Sequence, residues 1–246
     1  MRIVVAGGTG TVGRPTVEAL RAAGHEAVVL SRSHGTDLVT GHGLDTAVGG
    51  ADAVIDVASI ETLKASTAIE FFTAATGNLA SAAADAGVGH LVLLSIVGID
   101  RIPYDYYAGK VAQEKVVEAS RVPWTILRAT QFHEFAGQMF ERAKLGPLHV
   151  APNARTQPVA AAEVGARLAA LAAAEPRGRV RDLAGPREES LADMVRAFAR
   201  QEGHRGWIPA LNVPGPQMAG MRAGDALPGP DADLGHQTFT EWLAAR

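Results

Sequence analysis

Residues 1–16 read Met-Arg-Ile-Val-Val-Ala-Gly-Gly-Thr-Gly-Thr-Val-Gly-Arg-Pro-Thr. A short apolar run, Ile3–Ala6, feeds a glycine cluster, and a helix-like segment, Pro15–Ala23, follows at once. The glycines satisfy two overlapping spacings, Gly7-x-x-Gly10-x-x-Gly13 and Gly8-x-Gly10-x-x-Gly13. In a strand–turn–helix unit this is the fingerprint of a loop that cradles a dinucleotide. A turn without Cβ atoms lets the backbone approach a pyrophosphate, Gly13 lets the helix lie close to the strand, and the helix start presents free N–H groups to the anion. Thr9, Thr11 and Val12 complete the expected pyrophosphate loop; the plain alternative is a tight turn with no ligand.

Working outward, strand and helix signals alternate. Strands are expected at Arg2–Ala6, Ala27–Leu30, Ala53–Val57, His90–Ser95 and Pro123–Arg128, and helices at Arg14–Ala23, Ser66–Ala86 and Tyr106–Ser120. Short, wholly apolar strands separated by helices indicate parallel strands covered on both faces. The expected fold is α/β: a doubly wound parallel sheet of Rossmann type, 1–246 forming one domain, with 132–246 contributing a small C-terminal substrate-binding region. There, Leu148–Pro152 and Gln157–Val159 look like short strands, and Ala161–Ala174, Leu191–Glu202 and Thr238–Ala245 like helices. Residues 203–235 are rich in Gly and Pro yet hold Trp207, Ile208, Leu211, Met218 and Met221. Two readings stand open for them, a mobile cover over a substrate or an ordinary edge segment with one short helix.

Composition narrows the partners. A formal net charge of −3 without a long basic run argues against nucleic acid. With no cysteine, disulfides, thiolate metal sites and cysteine nucleophiles are excluded. The histidines never fall into a His-x-x-x-His spacing, so no metal is expected. No stretch approaches the roughly 18 apolar residues of a membrane span, and no long apolar segment marks the start as a signal peptide. The expectation is a cytoplasmic protein acting on a small molecule, its oligomeric state open.

The residues after the second strand choose between dinucleotides. A free ribose 2′-hydroxyl calls for an Asp or Glu there. This chain has Leu30-Ser31-Arg32-Ser33 instead. Arg32 can pair with a 2′-phosphate and Ser31 can add a hydroxyl, so NADP(H) is expected over NAD(H). Arg14 is a second candidate, and Arg32 as a plain solvated arginine is the alternative. Asp45 falls near the usual adenine contact, or serves as a helix N-cap.

Tyr106-Tyr107-Ala108-Gly109-Lys110 places Tyr106 and Lys110 four apart, on one helical face. A phenol is a poor acid or base near neutrality, and a nearby ammonium lowers its pKa. The pair can move a proton at a carbonyl oxygen while hydride moves to carbon, and the lysine can also bind the nicotinamide ribose. Tyr107 is left to point elsewhere, toward a substrate pocket. Ser95 ends the strand Leu91–Leu94, where a hydroxyl can meet the substrate oxygen or simply cap the strand. No Gly-x-Ser-x-Gly elbow surrounds it. Asp56, within a buried Val-Ile-Asp-Val, suits loop amides rather than chemistry, and Arg177–Arg181 reads as a solvated turn.

These residues together resemble a short-chain dehydrogenase/reductase of the atypical, NmrA-like branch. The matching stretches are Gly-Gly-Thr-Gly-Thr-Val-Gly at 7–13, Ser-Arg at 31–32, Leu-Leu-Ser-Ile-Val-Gly at 93–98, Tyr-Tyr-Ala-Gly-Lys at 106–110 and Trp-Thr-Ile-Leu-Arg-Ala-Thr-Gln-Phe at 124–132. Gln-Pro-Val at 157–159 and Thr-Phe-Thr-Glu-Trp-Leu near the end extend the likeness over nearly the whole chain. The resemblance implies that Ala58, Ser59, Ala129, Thr130 and Gln131 line the dinucleotide, and that Phe132, His133 and Phe135 face the substrate. It implies an NADPH-dependent oxidoreductase reducing a carbonyl or conjugated C=C of a small apolar molecule. It also leaves two rivals open, a non-catalytic NADP(H) sensor and a non-redox cyclase, dehydratase or epimerase. One departure stands out: Ser95 and Tyr106 are closer in sequence than in members with a full Ser–Tyr–Lys set, and Pro103 interrupts the connection.

Overall fold

A computed structural model describes residues 1–146 and 148–246. Five strands carry the core: β1 Arg2–Ala6, β2 Glu26–Leu30, β3 Ala53–Asp56, β4 His90–Ile96 and β5 Trp124–Ala129. They pair in parallel in the order β2-β1-β3-β4-β5. Short parallel strands at Gly178–Arg179, Leu183–Ala184 and Asp233–Leu234 extend the sheet beyond β5. The chain leaves β1 toward one edge and returns to its other side at β3. The carboxyl ends of β1 and β3 therefore flank the topological switch point, where such sheets open a ligand crevice.

The nine helices among the described residues are α1 Gly13–Ala22, α2 Leu44–Val48, α3 Ala65–Asp85, α4 Asp105–Glu118, α5 Phe135–Arg142, α6 Ala161–Ala172, α7 Leu191–Gln201, α8 Pro216–Ala223 and α9 Phe239–Ala244. Alternate strand residues feed two faces. Ile3, Val5, Ile55, Val92 and Leu127 pack with Leu20 of α1 and Leu168 of α6. Val4, Val54, Leu91, Leu93 and Ile126 pack with Leu44 of α2, Leu79 of α3 and Val117 of α4. Strands buried on both faces are what their unbroken apolar runs require. The β4–α4 connection and the final third share a further cluster of Ile99, Ile102, Tyr107, Leu191, Val195, Ile208 and Met221, which joins α4, α7 and α8.

The doubly wound α/β expectation holds, and the eight strands and helices expected before residue 130 all form within two residues of their expected ends. Several local expectations are corrected. Asp45 lies in the first turn of α2, whose N-cap is Gly43. Arg177–Arg181 is not a free turn: Gly178–Arg179 pairs with β5, and Arg179 bridges Glu114 and Glu118 at 2.8 and 2.7 Å. Leu148–Pro152 is two separate strand pieces, Leu148–His149 and Ala151–Pro152. The strand expected at Gln157–Val159 forms earlier, at Arg155–Thr156, leaving Val159 a single bridge to Phe132. Residues 203–235 contain α8 and the sheet's edge strand Asp233–Leu234, so the second reading describes their secondary structure.

Candidate functional site

The glycine loop closes tightly on its neighbours. Gly7 adopts φ +80°, and a Cβ there would lie 2.8 Å from the Val57 carbonyl oxygen and 2.9 Å from the Ala58 backbone. A Cβ on Gly13 would lie 2.1 Å from the Gly7 carbonyl oxygen. Only glycine permits these approaches. They bring α1 onto the end of β1 and press the loop after β1 against the loop after β3. Thr9, Gly10 and Thr11 face solvent. Arg14 Nε donates to the Thr9 carbonyl at 2.9 Å and braces the loop from the helix side. Among the described residues, the amides of Thr11, Val12 and Gly13 donate to no backbone carbonyl, as the first turn of a helix dictates. An exposed loop ending in free helix-start amides fits a pyrophosphate.

Ser31 and Arg32 follow β2 at the same end of the sheet. Arg32 opens a single 3-10 turn, Arg32–His34, and is exposed; the Ser31 and Ser33 hydroxyls lie 2.8 Å apart.

From β3 the path leads to Tyr106. Ala58 is buried against Gly7, and Ser59 beside it is exposed. The Ser59 and Tyr106 hydroxyls lie within hydrogen-bond distance, 2.8 Å. Tyr106 enters α4 directly after Asp105, whose φ of +49° sets the chain into the helix through a left-handed residue. Its ring meets the edge of Phe72, centroids 5.5 Å apart. Burial pushes the Tyr106 phenol above the usual tyrosine range, the Ser59 hydrogen bond opposes this, and the Asp56 charge adds to it.

Lys110 lies one turn on and differs from its expected role. It is 4% exposed. Its ammonium donates to the Leu94 carbonyl at 2.8 Å and to Gln113 Oε1, and sits 4.8 Å from the Phe72 ring centroid. Gln113 passes the contact on to Asp56 Oδ2 at 3.1 Å and to Thr76 at 2.9 Å, and Thr76 donates to Asp56 Oδ2 at 2.7 Å. Asp56 Oδ1 accepts the Ala58 amide at 3.0 Å. Burial pulls the Lys110 pKa down to about 8, against the Asp56 and Glu114 charges that raise it. The expectation that Lys110 lowers the Tyr106 pKa is corrected: the phenol is shifted upward, and the ammonium is spent on the sheet and on Gln113. Asp56 holds a loop amide, as its sequence context suggested. Thr76 and Gln113 were missed, because a Thr or Gln in a helix carries no distinguishing pattern. The i, i+3 spacing of Lys110 and Gln113 was the only available hint.

Ser95 also lies apart from Tyr106. It pairs in register with Arg128, so its side chain falls on the α4 face of the sheet with Leu91 and Leu93. It is 1% exposed there, beside Glu114. Burial raises the Glu114 carboxyl, and the Arg128 and Arg179 guanidiniums, with the nearby Ser95 hydroxyl, outweigh it and hold the group below the usual carboxylate range. No hydrogen bond joins Ser95 to Tyr106 among the described residues.

The remaining expected residues divide. Tyr107 is buried, its hydroxyl accepting from Gln131 Nε2 at 2.9 Å, and Gln131 Oε1 accepts from Thr156 at 2.7 Å. Burial pushes the Tyr107 phenol up to about 12. Ala129 and Thr130 are each 1% exposed. The Thr130 hydroxyl donates to the Gln157 carbonyl at 2.5 Å, which ties β5 to the final third. Phe135 borders the same apolar cluster as Tyr106 and Tyr107, with Ile96, Met139 and Met218. Phe132 packs instead with the α1–α6 face. His133 is fully buried, with Nε2 3.1 Å from the Gln237 carbonyl and its ring against Phe239 and Trp242. It fastens the chain end and is not brought together with Tyr106.

A family profile described as NAD(P)H-binding matches residues 7–175. No curated protein sequence matches the chain significantly. Among solved structures, an NADPH-dependent quinone oxidoreductase of Escherichia coli complexed with NADPH is 18% identical with a TM-score of 0.71, over 99% of both chains. UDP-glucose 4-epimerase of Thermus thermophilus in complex with NAD is 18% identical with a TM-score of 0.70, over 100% of this chain and 98% of that one. A nucleoside-diphosphate-sugar epimerase of Staphylococcus aureus is 15% identical with a TM-score of 0.72, over 99% of both. At these identities the likeness is one of fold. With the profile spanning residues 7–175 of 246, the chain belongs to the NAD(P)H-binding family and has the fold of the atypical short-chain dehydrogenase/reductase proteins it resembles.

Proposed function

We propose that this protein is an NADPH-dependent oxidoreductase that reduces a carbonyl or a conjugated C=C of a small apolar molecule, with Tyr106 as the proton donor. The observation that carries this reading is the Ser59–Tyr106 hydrogen bond of 2.8 Å. Ser59 adjoins Ala58, whose backbone lies against Gly7. A phenol is thereby held at the switch-point crevice, beside the loop suited to the pyrophosphate. Its raised pKa keeps the proton on oxygen at neutral pH, the form a donor needs.

When bound, the reduced nicotinamide supplies hydride. The protein's own residues do the rest. The helix-start amides at Thr11–Gly13 receive the pyrophosphate, and Arg32 with Ser31 supplies donors for a 2′-phosphate. The absence of any carboxylate in residues 31–34 favours NADP(H) over NAD(H). Tyr106 donates its proton to the substrate. Phe135, Met139 and Met218, which border the same apolar cluster as Tyr106, suit an apolar substrate and support a substrate-binding share for 132–246.

An NADPH-depletion assay against quinones, aldehydes, ketones and enones, with mass analysis of products, tests the reading. Consumption of NADPH matched by a product two hydrogens heavier is expected. Tight NADPH binding with no consumption would favour a sensor, and product without net consumption would favour an epimerase-like activity.

A further inference from the structure

Two hydroxyl-bearing residues compete for the place beside Tyr106, and the fold separates them. Ser95 lies under the sheet with Glu114 and Arg128. Ser59 lies on the loop after β3, 2.8 Å from the phenol oxygen. Lys110 is committed to Leu94 and Gln113 in the interior. Ser59 is exposed while Tyr106 is half-buried, so the serine hydroxyl gives the phenol a hydrogen-bonded partner that meets water.

We propose that Ser59 is the positioning residue of Tyr106 and its route of reprotonation from solvent, in the place that sequence spacing assigns to Ser95 and Lys110. This rests on the reading of Tyr106 as proton donor. When hydride from the bound dinucleotide reaches the substrate, the phenolic proton passes from Tyr106 to the substrate. The Ser59 hydroxyl donates its proton to the phenolate oxygen, and bulk water returns a proton to Ser59. The hydrogen bond also fixes where the phenol oxygen points, while Phe72 and Tyr107 meet the ring itself. A hydroxyl paired with the phenolate stabilises that form, so Ser59 lowers the energy of the state that follows proton transfer.

The first test needs no substrate. Ultraviolet phenolate titration of the cofactor-free protein, with Tyr106→Phe as the reference that identifies the Tyr106 transition, is run on Ser59→Ala, Ser59→Thr and Ser95→Ala. Ser59→Ala is expected to move the Tyr106 transition upward by about one pH unit, the size of one hydrogen bond. Ser59→Thr is expected to restore it, and Ser95→Ala to leave it in place. The second test follows NADPH oxidation by para-benzoquinone. Ser59→Ala is expected to lower kcat about tenfold or more at saturating NADPH, with the alkaline limb of the pH profile displaced upward. An unmoved transition in Ser59→Ala, or an equal effect from Ser95→Ala, overturns the proposal. If Tyr106→Phe abolishes turnover while Ser59→Ala does not, this inference fails alone. If Tyr106→Phe turns over normally, the reading beneath it fails.

Discussion

The ammonium of Lys110 donates to the main-chain carbonyl of Leu94 at 2.8 Å, pinning helix α4 to strand β4 from inside the sheet's face. Its proton is therefore a structural element with a pH dependence. In the unfolded chain the lysine holds its proton to about pH 10.4, and in the folded protein to about 8. Between those values the unfolded chain binds more protons, so the Lys110 contribution to stability rises with pH; below about 8 the cost of burying the charge is present in full. Urea unfolding of wild type and Lys110→Met from about pH 7 to about pH 10.5 should show wild type gaining on the variant by on the order of 3 kcal/mol. A difference independent of pH would mean that burial does not lower the Lys110 pKa.

Tyr106→Phe removes one oxygen and keeps the ring that meets Phe72. Folding should suffer by about 1 kcal/mol, the worth of one hydrogen bond. NADPH affinity should stay within about twofold, while turnover falls by roughly two to four orders of magnitude, the usual contribution of a positioned general acid. Isothermal titration with NADPH alongside steady-state kinetics checks both halves, and retained turnover removes the phenol from the chemistry.

Gly10 and Gly13 occupy one motif but answer to different constraints. A Cβ on Gly13 would stand 2.1 Å from the Gly7 carbonyl oxygen and 2.7 Å from Gly8 Cα, both backbone atoms. Gly13→Ala should cost about 3 kcal/mol or more and lose dinucleotide binding with the fold. A Cβ on Gly10 would meet only the Gly7 carbonyl oxygen, at 3.3 Å, and would otherwise face solvent. Gly10→Ala should keep a melting temperature near wild type and weaken NADPH by about tenfold or more, because the methyl stands where the pyrophosphate approaches. Thermal melts paired with NADPH titration separate the two, and equal losses in both variants would refute the distinction.

Arg32 tests the choice of dinucleotide. It is exposed and free of a carboxylate in its own loop. Arg32→Ala should weaken NADPH by about 10- to 100-fold, the value of a charge-assisted pair, and leave NADH affinity unchanged. A parallel loss for both nucleotides would reduce Arg32 to a general electrostatic role, and no loss for either would transfer the preference to Arg14.

The sheet was legible because its information is local. Ile3–Ala6, Ala53–Asp56 and His90–Ile96 are short apolar runs between turn residues, and a strand buried on both faces has no other pattern. The glycine loop was legible because steric need is written in residue type. The partners of Tyr106 were not. Four-residue spacing places Lys110 on its helical face, but which of Ser59, Ser95 or Lys110 meets the phenol depends on how α4 lies on β3 and β4. Strand alternation sends Ser95 under α4 with Arg128, a consequence of register that no single strand discloses. His133 was misplaced for a similar reason. Its position just after β5 suggests the crevice, yet Phe132 bridges Val159 and turns the histidine toward α9.

That histidine offers a test of acid stability separate from chemistry. His133 is fully buried between Gln237, Phe239 and Trp242, and burial lowers its pKa below the usual 6.5, against the Gln237 carbonyl and the Glu163 and Glu189 charges that raise it. As pH falls below about 6.5, the unfolded chain takes up a proton that the folded ring refuses, so folding loses stability there and is unaffected above. His90 is shifted in the same direction by its own burial, so the comparison must be a difference. Wild type and His133→Leu, unfolded in urea at falling pH, share the His90 effect, and wild type alone should carry the additional acid loss. Turnover in His133→Leu should match wild type at neutral pH, since the ring faces the chain end and not Tyr106. A large fall in kcat at unchanged stability would return His133 to the substrate pocket.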